Sequence, residues 1–214
     1  MVLAVIGILL TLLLPSLRNA REKAKIAVEL SSRRQLTDAT MLFAKNNNNK
    51  LPDRGNANFL HALKYGSGAN LNKTLVEKYL GTGPEIREQF MFCDSTLWDV
   101  RNPSIHAEYT NNHTANNANY CTLNYYKIPG GGTLKDSNFD NSSLMTAEGD
   151  NPIWSCAIIK ISTNWYGHDA PIVASQPKGA STSFIDGSAQ WMKPTEFREI
   201  WIGPNGFRYS MGKR

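Results

Sequence analysis

The first seventeen residues, MVLAVIGILLTLLLPSL, carry no charge, and Thr11 and Ser16 are their polar side chains. A run this apolar cannot lie in water without making a large sticky patch. It belongs in lipid, in the channel that handles signal peptides, or against similar helices in an oligomer. It is short for a membrane span, which takes roughly 17–25 residues. Two features disfavour a cleaved secretory signal: no basic residue precedes the apolar part, and no A-x-A-like site closes it. Arg18 ends the run, and a charged helical pattern follows without a turn. Pro15 lacks an N–H and crowds the carbonyl four residues back, and Gly7 adds a second soft point.

Past Pro15 the helical spacing continues. Leu17, Ala20, Ala24, Ala27 and Val28 fall at steps of three or four, or side by side, and Leu36, Ala39 and Phe43 resume after Arg33 and Arg34. Good helix formers fill residues 18–30. The pattern predicts one helix from about Val2 to about Lys45, roughly 65 Å long. Its first part is a bare apolar stalk, and its second half carries one stripe for packing on a head.

The segment VLAVIGILLTLLLPSLRNAREKAK resembles the N-terminus of type IV pilin-like proteins: pilins, minor pilins and the pseudopilins of type II secretion. The match is strongest in Ala4-Val5-Ile6-Gly7-Ile8 and Leu13-Leu14-Pro15-Ser16-Leu17. The resemblance implies a helix that anchors each subunit in the bacterial inner membrane and then packs with others in a filament core, the head lying outside. Val2, Ala4, Ile6, Gly7, Leu10, Leu14, Pro15 and Leu17 are the assembly residues it implies, with small side chains at Ala4 and Gly7 permitting close approach. Members of the family also carry a charged leader, a Gly cleavage site and a Phe-Thr-Leu-Ile-Glu-like start; the sequence as written has none of these. Arg18, Arg21, Lys23 and Lys25 would by themselves hold their end in the cytoplasm. A basic leader would restore the usual orientation.

Length then sets the division: a stalk helix over 1–45, with 1–17 as its membrane or filament-core part, and a globular α+β head over 46–214. The implied fold is pilin-like, an antiparallel β-sheet packed on the C-terminal half of the helix. The formal charge is +5. Residues 16–45 contribute seven Lys/Arg and three Asp/Glu, which leaves +1 for the rest of the chain. The basicity belongs to the helix, so no nucleic-acid partner is expected for the head.

The Asn run 46–49 with Pro52 marks the boundary. Short helices are expected at 59–65, 74–80 and 84–89, and a short strand or buried approach to the core at 89–93. Residues 94–119 read as an exposed loop, 120–126 as β-like, and 153–161 as one central strand. Residues 164–170 read as loop, 195–201 as a last helix, and 203–214 as a loose tail. Asp186-Gly187 between alternating segments 180–185 and 188–192 is a two-residue hairpin signal. Phe184, Ile185, Asp186, Gly187 and Trp191 also resemble the C-terminal signature of a pilin-like subgroup. That subgroup often has a His ten residues before the Asp. Gln176 stands there in this chain, which implies a structural hairpin without metal or catalytic duty.

Three cysteines, Cys93, Cys121 and Cys156, include no C-x-x-C, so a zinc site is not expected. An envelope location permits one disulfide, expected between Cys93 and Cys121; three reduced thiols are the other reading. His61, His106, His113 and His168 make no metal-binding motif, and no Gly-x-Ser-x-Gly elbow occurs. Gly130-Gly131-Gly132 lacks the Lys and hydroxyl of a phosphate-binding loop. No cofactor is expected. Asp136, Asp140, Glu148 and Asp150 offer oxygen ligands of the kind Ca²⁺ takes, but without the spacing of a calcium loop. The expectation is a structural filament subunit and not an enzyme, partnered by related subunits and by membrane lipid. The competing class is a membrane-tethered binding protein or hydrolase, with Trp98, Trp154, Trp165, Tyr166 and Trp191 lining a groove.

Overall fold

The computed structural model describes residues 2–52, 70–91, 93, 123–125, 133–134, 152–161, 163–166, 177–202 and 208–212. Helix α1 spans Val2–Lys45, 44 residues, as the spacing predicts, and measures about 66 Å at 1.5 Å per residue. It runs through Pro15. In the turn that the proline weakens, Ser16 Oγ donates to the Leu13 carbonyl at 2.8 Å.

The Asn run ends the helix by capping it. Asn48 and Asn49 take φ values of 55° and 58°, the left-handed region that Asn tolerates better than most side chains. The Asn49 N–H then reaches back to the Ala44 carbonyl at 2.8 Å. Asn47 Nδ2 donates to the Phe43 carbonyl at 2.7 Å. These bonds satisfy carbonyls that the last turn would otherwise leave without partners.

The residues at 72–80 form a π-helix, Asn72–Leu80, in which the Gly81 N–H bonds the Val76 carbonyl at 3.0 Å, five residues back. Gly81 itself has φ 134°. Helix α2 spans Pro84–Met91. It takes in the residues expected to start a strand at 89–93, while Phe90, Met91 and Cys93 are buried as an approach to the core.

Nine strands follow among the described residues: β1 (Leu123–Tyr125), β2 (Thr133–Leu134), β3 (Pro152–Cys156), β4 (Ile158–Ile161), β5 (Asn164–Tyr166), β6 (Ala180–Phe184), β7 (Ala189–Met192), β8 (Phe197–Ile202) and β9 (Arg208–Gly212). They form two antiparallel sheets, ordered β1-β3-β6-β7 and β2-β8-β9-β4-β5. The architecture is α+β, an N-terminal helix with antiparallel sheet. Helix α1 lies against β3, β6 and β7, and β9 approaches β3 and β6. Every residue of β3 and of β6 is buried.

Several local expectations differ. The run 153–161 is two strands in two sheets, parted at the buried Ala157. Residues 164–166 are β5, where a loop was expected, because they pair with β4. The helix expected at 195–201 is a single 3₁₀ turn, Pro194–Glu196, followed by β8. The tail expected to be loose contains β9, which pairs with β8 and β4. In each case cross-strand pairing, invisible in a short window, overrides local propensity. The elements expected at 59–65 and 94–119 lie outside the described residues.

The hairpin at Asp186-Gly187 forms with a different turn. Ser183 pairs with Ala189 and Ala180 with Met192. The Phe184 N–H bonds the Ser188 carbonyl, and the Gly187 N–H bonds the Phe184 carbonyl, both at 2.9 Å. The loop is therefore Ile185, Asp186 and Gly187, three residues with Gly187 left-handed at φ 82°. This is the type I turn plus glycine bulge that such loops favour. Asp186 Oδ1 accepts from the Ser188 N–H at 2.9 Å and from Ser188 Oγ at 2.7 Å. The carboxylate thus fixes the turn.

Candidate assembly surface and the seam behind it

Helix α1 divides by surroundings at Glu29. Before it, Leu13, Leu14, Leu17 and Val28 are 58%, 63%, 67% and 61% exposed. Pro15, Ala20, Ala24 and Ala27 are exposed as well. Val2, Ala4, Ile6, Gly7 and Leu10 lie on the same helix, and their side chains fall outside the described residues. Among the described residues no helix is long and apolar enough to cross a membrane. The stripe expected to run from Leu17 to Val28 is exposed along its length. Arg18, Arg21, Lys23 and Lys25 are exposed on the same stretch. A tie back to the head comes from Lys178, whose Nζ lies 3.7 Å from Glu22 Oε1.

From Glu29 onward the buried stripe is Glu29, Ser32, Arg33, Leu36, Thr37, Ala39, Thr40 and Ala44. The spacing is helical, but more than half of it is polar. A search for apolar periodicity finds Leu36 and Ala39 and misses the rest. The sheet meets it with a matching polar face. In a strand, alternate residues share a face, and the register sets Trp154 opposite Ser183 and Tyr125 opposite Trp154.

Hydrogen bonds join the two surfaces. Thr37 Oγ1 donates to Ser183 Oγ at 2.7 Å. The Trp154 indole N–H donates to Thr40 Oγ1 at 3.0 Å, and that hydroxyl donates to the Leu36 carbonyl at 2.7 Å. Tyr125 stacks at 4.6 Å between ring centroids on Trp154, and its hydroxyl donates to the Pro52 carbonyl at 3.1 Å. Arg33, fully buried, donates from Nη1 to the Phe90 carbonyl at 2.8 Å. Sliding the helix on the sheet would break these bonds and leave their buried donors unsatisfied, at about 1–3 kcal/mol each, which favours this register.

The disulfide expected between Cys93 and Cys121 is not formed: Cys93 is joined to Cys156, across a separation of 63 residues. The sequence spacing of three cysteines does not encode which strand ends beside which helix. Here the end of β3 lies beside the end of α2. Cys121 lies outside the described residues. The Glu29 carboxylate faces this bridge, with Oε2 3.8 Å from Cys156 Sγ. Ser181 Oγ is 3.0 Å from the same sulfur. Glu29, Cys93 and Cys156 thus meet from three distant parts of the chain, a grouping that no local motif announces.

Trp154, Trp165 and Trp191, whose side chains are described, sit in three different settings. Trp154 is in the core. Trp165 lies under Lys160, whose Nζ is 5.2 Å from the ring centroid. Trp191 covers Gly179 so closely that a Cβ there would strike the indole. Trp98, the four histidines, Gln176, and Asp136, Asp140, Glu148 and Asp150 lie outside the described residues.

No protein-family model, curated protein or solved structure matches this chain.

Proposed function

We infer that this chain is a pilin-like subunit, of the minor-pilin or pseudopilin kind, that assembles through the first half of α1. The reading rests on one observation: a continuous 44-residue helix has its buried side chains from Glu29 onward and leaves Leu13, Leu14 and Leu17 exposed. Ahead of the Lys178–Glu22 contact the helix runs on for about 30 Å, and Leu13, Leu14 and Leu17 on it are more than half exposed. Exposed apolar surface of this kind marks an association or membrane site. The N-terminal resemblance supplies the rest of the proposal. The helix holds the subunit in the inner membrane by a single pass, with the head on the periplasmic side. It then packs beside the helices of copies or related subunits in a filament.

Lipid gives helices no hydrophobic reason to associate, so close packing and shape decide partner choice. The head contributes no catalysis in this reading; it fixes the spacing between stalks.

Deleting residues 1–17 tests it. The shortened chain is expected to be monomeric in analytical ultracentrifugation and to leave the membrane fraction, whereas the full chain assembles or stays membrane-bound. A full chain that remains monomeric and water-soluble would refute the proposal. A shortened chain that turns over a substrate unaided would favour the tethered-hydrolase reading.

A further inference from the structure

We propose that Glu29, Cys93 and Cys156 form a binding site for a zinc-class divalent cation when the two cysteines are thiols. This is independent of the filament reading. The three donor atoms lie within 4.8 Å of one another, and all three residues are buried. They come from α1, from two residues beyond the end of α2, and from the end of β3.

The distances suit a tetrahedral ion. Zinc sits about 2.3 Å from a thiolate and about 2.0 Å from a carboxylate oxygen, which sets sulfur and oxygen about 3.5 Å apart. Cys156 Sγ and Glu29 Oε2 stand at 3.8 Å. On the same tetrahedron two sulfurs are about 3.8 Å apart. With Cα atoms 6.3 Å apart, rotation about the two Cα–Cβ bonds opens the sulfurs to that spacing.

The surroundings suit the charge. Two thiolates and a carboxylate around a dication leave one negative charge. Arg33 is fully buried one turn beyond Glu29 on the same face of α1, and puts a positive charge beside the cluster. Ser181 Oγ, 3.0 Å from Cys156 Sγ, donates to the thiolate and orients it, as outer partners of metal ligands do.

Bridge and cation exclude each other. Opening the bridge takes two electrons and two protons. A phosphine supplies the electrons as it becomes phosphine oxide with the oxygen of water, and that water supplies the protons. The cation then displaces the two thiol protons and is not itself oxidised or reduced. An added small-molecule disulfide takes the two electrons back by thiol–disulfide exchange, leaves as two thiols, re-forms the bridge and so releases the cation.

The test uses the full chain in detergent, with Cys121→Ser so that only the two site thiols remain. The chain is reduced with a phosphine, desalted without oxygen and titrated with Co²⁺ as the spectroscopic probe. One equivalent is expected to give thiolate-to-cobalt charge transfer together with tetrahedral d–d bands. The bridged chain should give neither. Glu29→Gln should weaken binding by at least about 10- to 100-fold, the loss that even an outer partner causes, and Cys156→Ser should abolish the charge-transfer signal of the two-thiolate site. Absent bands, an unchanged affinity in Glu29→Gln, or a reduced chain that stays unfolded with Co²⁺ present each overturn the proposal.

Discussion

Removing the Cys93–Cys156 bridge isolates what it contributes. A link across 63 residues removes unfolded-state chain entropy worth about 4 kcal/mol. For a chain of this size each kcal/mol moves the melting temperature by about 2–4 °C. Cys156→Ala should therefore lower it by about 8–16 °C, followed by circular dichroism on the full chain in detergent. Cys93→Ala should do the same, and the double variant should lose no more than either single one, since both remove one object. Cys121→Ala should melt close to the parent. Thiol titration of the unfolded, unreduced parent should find one free thiol of three cysteines. If Cys121→Ala loses as much as Cys156→Ala, or if the two site substitutions add, the pairing and its entropy account are wrong.

The seam gives further tests. Thr40→Val leaves the buried Trp154 indole N–H without its acceptor, which costs about 1–3 kcal/mol, whereas Thr40→Ser keeps the hydroxyl; chemical denaturation should rank Ser above Val. Gly179→Ala drives a methyl into the Trp191 indole and should cost about 1–3 kcal/mol in the same measurement. Lys178→Ala removes an ion pair whose side chains are 63% and 44% exposed; after solvent screening it should cost under about 1 kcal/mol. A larger loss there would show that the pair clamps the stalk.

What the sequence made legible follows from which forces are local. Helix α1 could be placed at both ends because propensity, spacing and the Asn run act within a few residues of each other. The Asp186-Gly187 hairpin could be located for the same reason. Its turn type could not, because three-residue and two-residue loops differ by one pairing across the strands. The stripe that docks the helix escaped because Glu29, Arg33, Thr37 and Thr40 look solvated until the strands bearing Trp154 and Ser183 are laid against them. Residues 195–201 read as helix because seven residues hold too few repeats to separate the two periods. The cluster of Glu29 with Cys93 and Cys156 depends wholly on tertiary placement, so no motif search reaches it.

Ala157 sits where one unbroken stretch of backbone leaves the first sheet and enters the second, with β3 on one side and β4 on the other. Load entering along the stalk passes through the threonine and tryptophan bonds into β3, and from there across a single residue into β4. The two layers also meet where β9 packs near β3 and β6. Heat should therefore release them in one event, and amides on either side of Ala157 should open to deuterium at the same rate.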